Sequence, residues 1–141
     1  MDGGPEFQDV FELLDPAQHG YHSAQLIEHW ARVQPDVIAV ARAAGRDERG
    51  RSRFATKTFR ELNELADTYA HALEAAGVCP ADRVVLFLTD PIELFAVVYA
   101  CAKLQAVFVL IDPGMGVKNL LACVEEQRPA ALVGVPKAHV L

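Results

Sequence analysis

Serine is almost missing from this chain. Its 141 residues include only Ser23 and Ser52, and neither stands in a G-x-S-x-G elbow, so a serine nucleophile has no support. Cysteine is sparse and odd in number (Cys79, Cys101 and Cys123), which excludes a disulfide framework and leaves reduced, buried thiols as the plain expectation. Their even spacing follows a strand–helix repeat rather than a ligand set. Positive charge is short as well: 13 Lys and Arg face 19 Asp and Glu, for a formal net charge of −6. That balance argues against nonspecific binding to nucleic acid or anionic membrane as a main task. No basic segment leads into an apolar one at the N-terminus, so no secretory signal is read and a cytoplasmic location is expected. The longest apolar run, Leu94 to Ile111, is interrupted by Lys103 and Gln105. It reads as a buried helix followed by a buried strand, not as a membrane span.

What is present is core material. Hydrophobic residues make up 52% and charged residues 23%, which excludes disorder, and the length suits one domain. Residues 1–21, rich in Gly, Pro and Asp, read as an N-terminal arm with a short helical turn near Phe11 to Leu14. Ser23 caps a helix through about Gln34, with Leu26, Ile27, Trp30, Ala31 and Val33 as its apolar stripe. Pro35 and Asp36 end it. Val37 to Ala41 reads as a strand, residues 42–53 as a solvated hairpin loop with five arginines, and Phe54 to Thr56 as a second strand. Thr58 and Glu61 form an S/T-x-x-E capping box. Behind them Phe59, Leu62, Leu65, Ala66, Tyr69, Ala70, Leu73 and Ala76 recur at helical spacing, and Gly77 supplies the left-handed residue past the end.

After Gly77 three continuous apolar runs, Val84–Leu88, Val107–Ile111 and Ala131–Val135, alternate with helical segments. Asp90 and Pro91 open a helix to about Leu104. A second helix spans about Val117 to Gln127, and Pro136 starts another turn. Strands apolar on both faces, separated by helices, argue for parallel pairing through crossovers. The fold class is therefore α/β: a partial, mainly parallel sheet with helices on both faces.

Each candidate for chemistry has a plainer reading beside it. Gly45 to Ser52 approaches a Walker A loop, but Arg51 replaces the lysine and a strand follows where a helix is needed. Gly114-Met115-Gly116 lies between a strand and a helix, the right context for a dinucleotide fingerprint, yet the third glycine would fall at Asn119, and turn chemistry accounts for both glycines. His19, His22 and His29 have no carboxylate or cysteine at ligand spacing. Nothing in the spacing places His139 beside Cys123. Glu12, Asp90, Glu93, Glu125 and Glu126 read as capping or surface carboxylates. Asp112 stands out because it ends an apolar parallel strand, where α/β sheets place ligands; forming the turn before Pro113 is its simpler role. The arginines from Arg42 to Arg53 suit phosphate or an acidic partner or, more simply, a solvated loop. No catalytic, cofactor-binding or metal-ligating residue is assigned in this chain.

The order of motifs goes further. Thr56-Lys57-Thr58-Phe59-Arg60-Glu61-Leu62 resembles the T-Y-x-E-L motif of adenylate-forming enzymes, the acyl- and aryl-CoA ligases, peptide-synthetase adenylation domains and luciferases. Leu26 to Ala31 with Gln34-Pro35-Asp36 is similar to that family's opening helix and its ending. Gly77-Val78-Cys79-Pro80-Ala81-Asp82-Arg83-Val84 is similar to its G-V-x-P-G-D-R-V strand entry. Ala102 to Pro113 resembles its L-K-A-G-A-x-x-V-P-I-D-P motif, with Gln105 and Leu110 in place of the commoner Gly and Pro. The stretch Leu110 to Gly116, with Asn119-Leu120, looks closest to the long-chain acyl branch that includes the β-lactone-forming ligases of olefin biosynthesis.

The resemblance implies that residues 22–141 are part of the first α/β subdomain of such a ligase. The family turns a carboxylate and Mg-ATP into an acyl-adenylate and pyrophosphate. The acyl group then passes to coenzyme A, to a carrier pantetheine, or to the substrate's own β-hydroxyl. The implied substrate is a fatty or β-hydroxy acid, and the implied partner is the remainder of the ligase chain. The family's phosphate loop and catalytic lysine lie beyond this segment, so the segment alone is expected to be inactive. A fragment of this kind should expose an unpaired apolar strand and form edge-strand dimers. Two rivals stay open from the residues themselves: a stand-alone α/β module binding a nucleotide or partner, and a receiver-like domain with Asp112 as acceptor.

Overall fold

The structure, a computed structural model, describes residues 23–134. The arm, His19, His22, the end of the last strand, Pro136 and His139 fall outside the described residues. Helix α1 (Ser23–Val33) leads into β1 (Ile38–Arg46), β2 (Ser52–Thr58), α2 (Phe59–Ala75), β3 (Arg83–Phe87), α3 (Pro91–Lys103), β4 (Val107–Leu110), a 3-10 turn (Pro113–Met115), α4 (Val117–Gln127) and β5 (Ala131–Gly134).

The boundaries follow local chemistry. At the start of α2, Thr58 Oγ1 accepts from the Glu61 N–H at 3.3 Å, and the Glu61 carboxylate accepts from the Thr58 N–H at 2.9 Å. The Phe59 and Arg60 N–H groups donate to the Val37 and Pro35 carbonyls, and Arg60 reaches the Asp36 carboxylate at 3.1 Å. The first-turn donors of α2 are thus consumed by the segment that ends α1. At the other end, the Val78 N–H bonds the Leu73 carbonyl and the Gly77 N–H bonds that of Glu74, with Gly77 at φ +93°. This is a Schellman ending, sealed by the buried pair Leu73 and Val78. Helix α3 repeats the pattern, with the Ala106 and Gln105 N–H groups donating to the Cys101 and Ala102 carbonyls. Here the left-handed position is Gln105, at φ +56°. That is why glycine is commoner at this point of the motif: only glycine lacks the Cβ clash.

Two sheets form. Strands β4, β3 and β5 pair in that order, both pairs parallel. One face of this sheet, with Val84 and Leu86, packs on Ala70 and Leu73 of α2 and on Val97, Ala100 and Cys101 of α3. The other face, with Val85, packs on Leu120, Cys123 and Val124 of α4. Helices therefore cover both faces, and each fully buried aliphatic side chain contributes roughly 1.5–3 kcal/mol of burial. Helix α1 completes a third cluster, in which Ile27 meets Val40, Leu62, Ile92 and Ala96.

Strands β1 and β2 form a separate antiparallel hairpin. The expected loop over 42–53 is shorter than the sequence suggests: β1 runs to Arg46, β2 begins at Ser52, and only Asp47 to Arg51 turn. Arginines separated by small residues are solvated along a two-stranded ribbon without leaving the extended backbone. The β1–β2 register shifts twice, between Ile38 and Val40 and between Ala43 and Arg46. The second shift absorbs Gly45 at φ +90°.

Candidate functional site

Open α/β sheets place ligands at the carboxyl ends of their parallel strands. At that edge the ends of β3 and β4 lie side by side, joined by the Ile111 N–H to the Leu86 carbonyl at 3.0 Å. Each ends in an aspartate. Asp90 caps α3, its Oδ1 accepting from the Ile92 N–H at 2.9 Å. Its Oδ2 receives Arg42 Nε at 2.8 Å, which ties the hairpin to the sheet. A shallow polar concavity runs along this junction, lined by Ala41, Arg42, Ala43, Thr89, Asp90 and Pro91.

Asp112 serves the turn. Its Oδ1 accepts from the Gly114 N–H at 2.7 Å, and its carbonyl accepts from the Met115 N–H. Asn119 Nδ2 donates to the Met115 carbonyl at 2.9 Å. Gly116, at φ +80°, opens α4 without a side-chain cap. The Gly114-Met115-Gly116 segment is thus a 3-10 turn held by Asp112 and Asn119, and glycine is required at 116 by backbone conformation.

The hairpin tip has the same character. Asp47 accepts from the Arg49 and Arg51 N–H groups, both at 2.9 Å, and from Arg51 Nε at 2.8 Å. The Arg51 backbone bond, then its side chain, hold this carboxyl below the ordinary aspartate value. Arg46 donates to the Gly50 carbonyl at 2.9 Å. Gly45 to Ser52 is therefore strand, turn and strand, which is not the strand-to-helix geometry of a phosphate loop.

The thiols are not alike. Cys101 is buried, and burial pushes its thiol up to about 11, so it stays protonated and inert. Cys123, on α4, is half-buried against the sheet. Cys79 is exposed, which corrects the expectation of three buried thiols. It lies in the turn before β3, where its N–H donates to Asp82 at 2.8 Å. His29 packs edge-on against Trp30, with ring centroids 5.3 Å apart, and Trp30 stacks on Phe59. Among the described residues no group of three or more His, Cys, Asp and Glu is placed to hold a metal ion. With no phosphate loop and no such group, the described residues do not fit Mg-ATP.

One charged cluster escaped sequence reasoning. Lys103, at the end of α3, puts Nζ 2.7 Å from Asp67 of α2 and 3.0 Å from Glu28 of α1. Burial lowers its pKa, but the hydrogen bonds to the two carboxylates outweigh this and hold it above the ordinary lysine value. The available signal was a lone lysine inside an apolar run, which needs a partner when it folds inward. No described helix is long and apolar enough to cross a membrane, and the apolar run resolves into α3 and β4.

Known proteins share this framework. An olefin β-lactone synthetase of Stenotrophomonas maltophilia is 37% identical over 113 residues, 78% of this chain and 20% of that protein. A propionate–CoA ligase of Escherichia coli is 26% identical over 107 residues, 76% of this chain and 16% of that protein. The solved structure of IdnL1 superposes with a TM-score of 0.68 at 28% identity, covering 82% of this chain and 24% of that one. The chain thus spans about a fifth of the length of these relatives. The family model described as AMP-binding enzyme matches residues 27–140. With the T-x-x-E cap, the parallel β4–β3–β5 sheet and the Asp112-Pro113 turn all inside that match, the chain belongs to the AMP-binding enzyme family, of which it is a partial, N-terminal segment.

Proposed function

We propose that residues 22–141, behind an arm of residues 1–21, supply the first α/β subdomain of an ATP-dependent ligase that activates a fatty or β-hydroxy acid. The overall reaction is carboxylate plus ATP to acyl-adenylate plus pyrophosphate, followed by β-lactone closure, in which the substrate's own hydroxyl attacks the acyl carbonyl and AMP and a proton leave. Transfer to coenzyme A is the alternative ending. The observation that carries the reading is the family match across 27–140 together with 37% identity to an olefin β-lactone synthetase. The propionate–CoA ligase likeness, at lower identity, supports the coenzyme A ending.

In this reading the chain's own residues act as scaffold. The capping box fixes α2 on the α1 ending, Asp90 and Asp112 set the strand ends, and Lys103 locks three helices together. The phosphate-holding and catalytic groups come from sequence outside this chain, and the enzyme works in the cytoplasm. Phosphoryl chemistry depends on positioning and charge stabilisation, so the 141-residue chain alone is inactive.

The test compares the chain with its reading frame continued to the relatives' length. The longer protein should exchange pyrophosphate into ATP when given a β-hydroxy fatty acid, and mass spectrometry should find a β-lactone without coenzyme A. A thioester formed only with coenzyme A selects the alternative ending. Exchange by the 141-residue chain itself would overturn the scaffold reading.

A further inference from the structure

Among the described residues, strand β4 is an edge strand without protection, paired with β3 on one side only. Natural edges carry lysine, proline, a bulge or a covering element to prevent further pairing. From Leu104 to Ile111 this chain has no charge and no proline, and β4 pairs with β3 in unbroken register.

Its side chains are apolar and open on both faces. Val107 is 49% exposed, Phe108 39% and Leu110 56%. Phe108 and Leu110 stand beside Val84 and Leu86, on the face covered by α2 and α3. Val107 and Val109 stand on the face covered by α4. The covering helices therefore shield β4 only in part: Val109 packs into the α4-face cluster, while Val107, Phe108 and Leu110 stay open.

The backbone points the same way. The Val107 and Ile111 N–H groups donate toward β3, to the Asp82 and Leu86 carbonyls. Successive residues of a strand direct their hydrogen-bonding groups to opposite sides. The N–H and C=O groups of Phe108 and Leu110 therefore face the open edge.

We infer that the open edge of β4 is the seat of a further β-strand, supplied by the same enzyme from sequence outside this 141-residue chain. The occupant must be extended, with apolar side chains on both faces to cover Val107 on one side and Phe108 and Leu110 on the other. A source is at hand, because the matched relatives are about five times the length that this chain spans. This inference rests on the reading that the chain is part of a longer ligase.

The experiment is amide hydrogen exchange at Phe108 and Leu110, read in the 141-residue chain and in the continued protein. Exchange in the continued protein should be slower by on the order of 100-fold or more, and Val107, Val109 and Ile111 should be protected in both. A second arm uses Phe108→Pro, which removes an N–H at the open edge and leaves position 110, where the resembling motif commonly carries proline, unchanged. It should be tolerated in the short chain, as proline is on edge strands, and should lower the thermal midpoint of the continued protein. Fast exchange at both amides in the continued protein overturns the inference. Protection of these amides in the short chain also overturns it: protection that grows with concentration marks a second copy as occupant, and protection that does not marks the chain's own residues. Pyrophosphate exchange is scored separately. An active protein with an open β4 edge sinks this inference alone, and an inactive protein with a protected edge sinks the ligase reading alone.

Discussion

Strand β3 buries Val84, Val85 and Leu86 one after another, whereas β1 places arginines among small residues and buries only Val40. The two strands differ in what covers them. β3 lies between helices on both faces and between strands on both edges, so its central positions Val84 to Leu86 are interior and a continuous apolar run is the stable solution there. β1 pairs with β2 alone. A two-stranded ribbon has little core of its own and is marginal in isolation. Its base is held by Val40 in the α1–α2–α3 cluster, and the rest of its order comes from turn chemistry at Asp47 and from the Arg42–Asp90 anchor. Stability should therefore be concentrated around β3 and nearly absent toward the hairpin tip.

The sharpest way to break this contrast is Leu86→Ala beside Phe54→Ala. Leu86 is 1% exposed and Phe54 62%. Urea unfolding of the chain should show a loss of about 2–5 kcal/mol for the first and within about 0.5 kcal/mol for the second. Equal losses would mean that the hairpin is packed against something in solution.

Lys103→Met tests whether the α1–α2–α3 junction belongs to the rigid half. The two carboxylates it leaves behind are about half exposed, so the loss should be about 1–2 kcal/mol, below that of a fully buried pair. The pH dependence has a defined sign. Because the folded-state pKa of Lys103 is raised, its contribution is complete below the ordinary lysine range and disappears as pH rises through the raised value. Wild type should lose stability at high alkaline pH and converge on Lys103→Met. Parallel curves would show that the bridge contributes nothing.

Gln105→Gly should act in the opposite direction. Removing the Cβ at a left-handed position ought to add about 1 kcal/mol, seen as a higher urea midpoint with an unchanged slope. The smallest effect is expected for Arg42→Ala, about 0.2–1 kcal/mol. Its informative readout is local: faster amide exchange in Ala41 to Arg46 with β3 unaffected. A global loss would show the hairpin and the sheet unfolding as one unit.

Much of the framework was legible because its causes are local. Thr58 and Glu61 meet across one helical turn, Asp90 precedes Pro91, and Gly77 follows the last periodic residue, so each boundary could be read from neighbours. The three apolar runs gave the strands within a residue or so. The candidate site was legible in part: Asp112 was singled out, and it sits at the strand end, occupied with the Gly114 turn. The hairpin strands run longer than arginine content suggests, because arginine signals solvent and not backbone shape. The regular cysteine spacing points Cys79 to the interior, yet it falls in an exposed turn.

Although β4, read as a buried strand, is largely exposed, the sequence by itself determined most helix ends, the two-sided burial of β3 and the family to which its motifs point. Those features depend on groups within a few residues of one another, or on hydrophobic periodicity along one element. Only the tertiary structure decided the sheet order β4–β3–β5, the left-handed role of Gln105, the open edge of β4 and the partners of Lys103, one of which is 75 residues away. Such features arise when distant segments compete for the same face, edge or charge, and that competition is settled by packing in three dimensions.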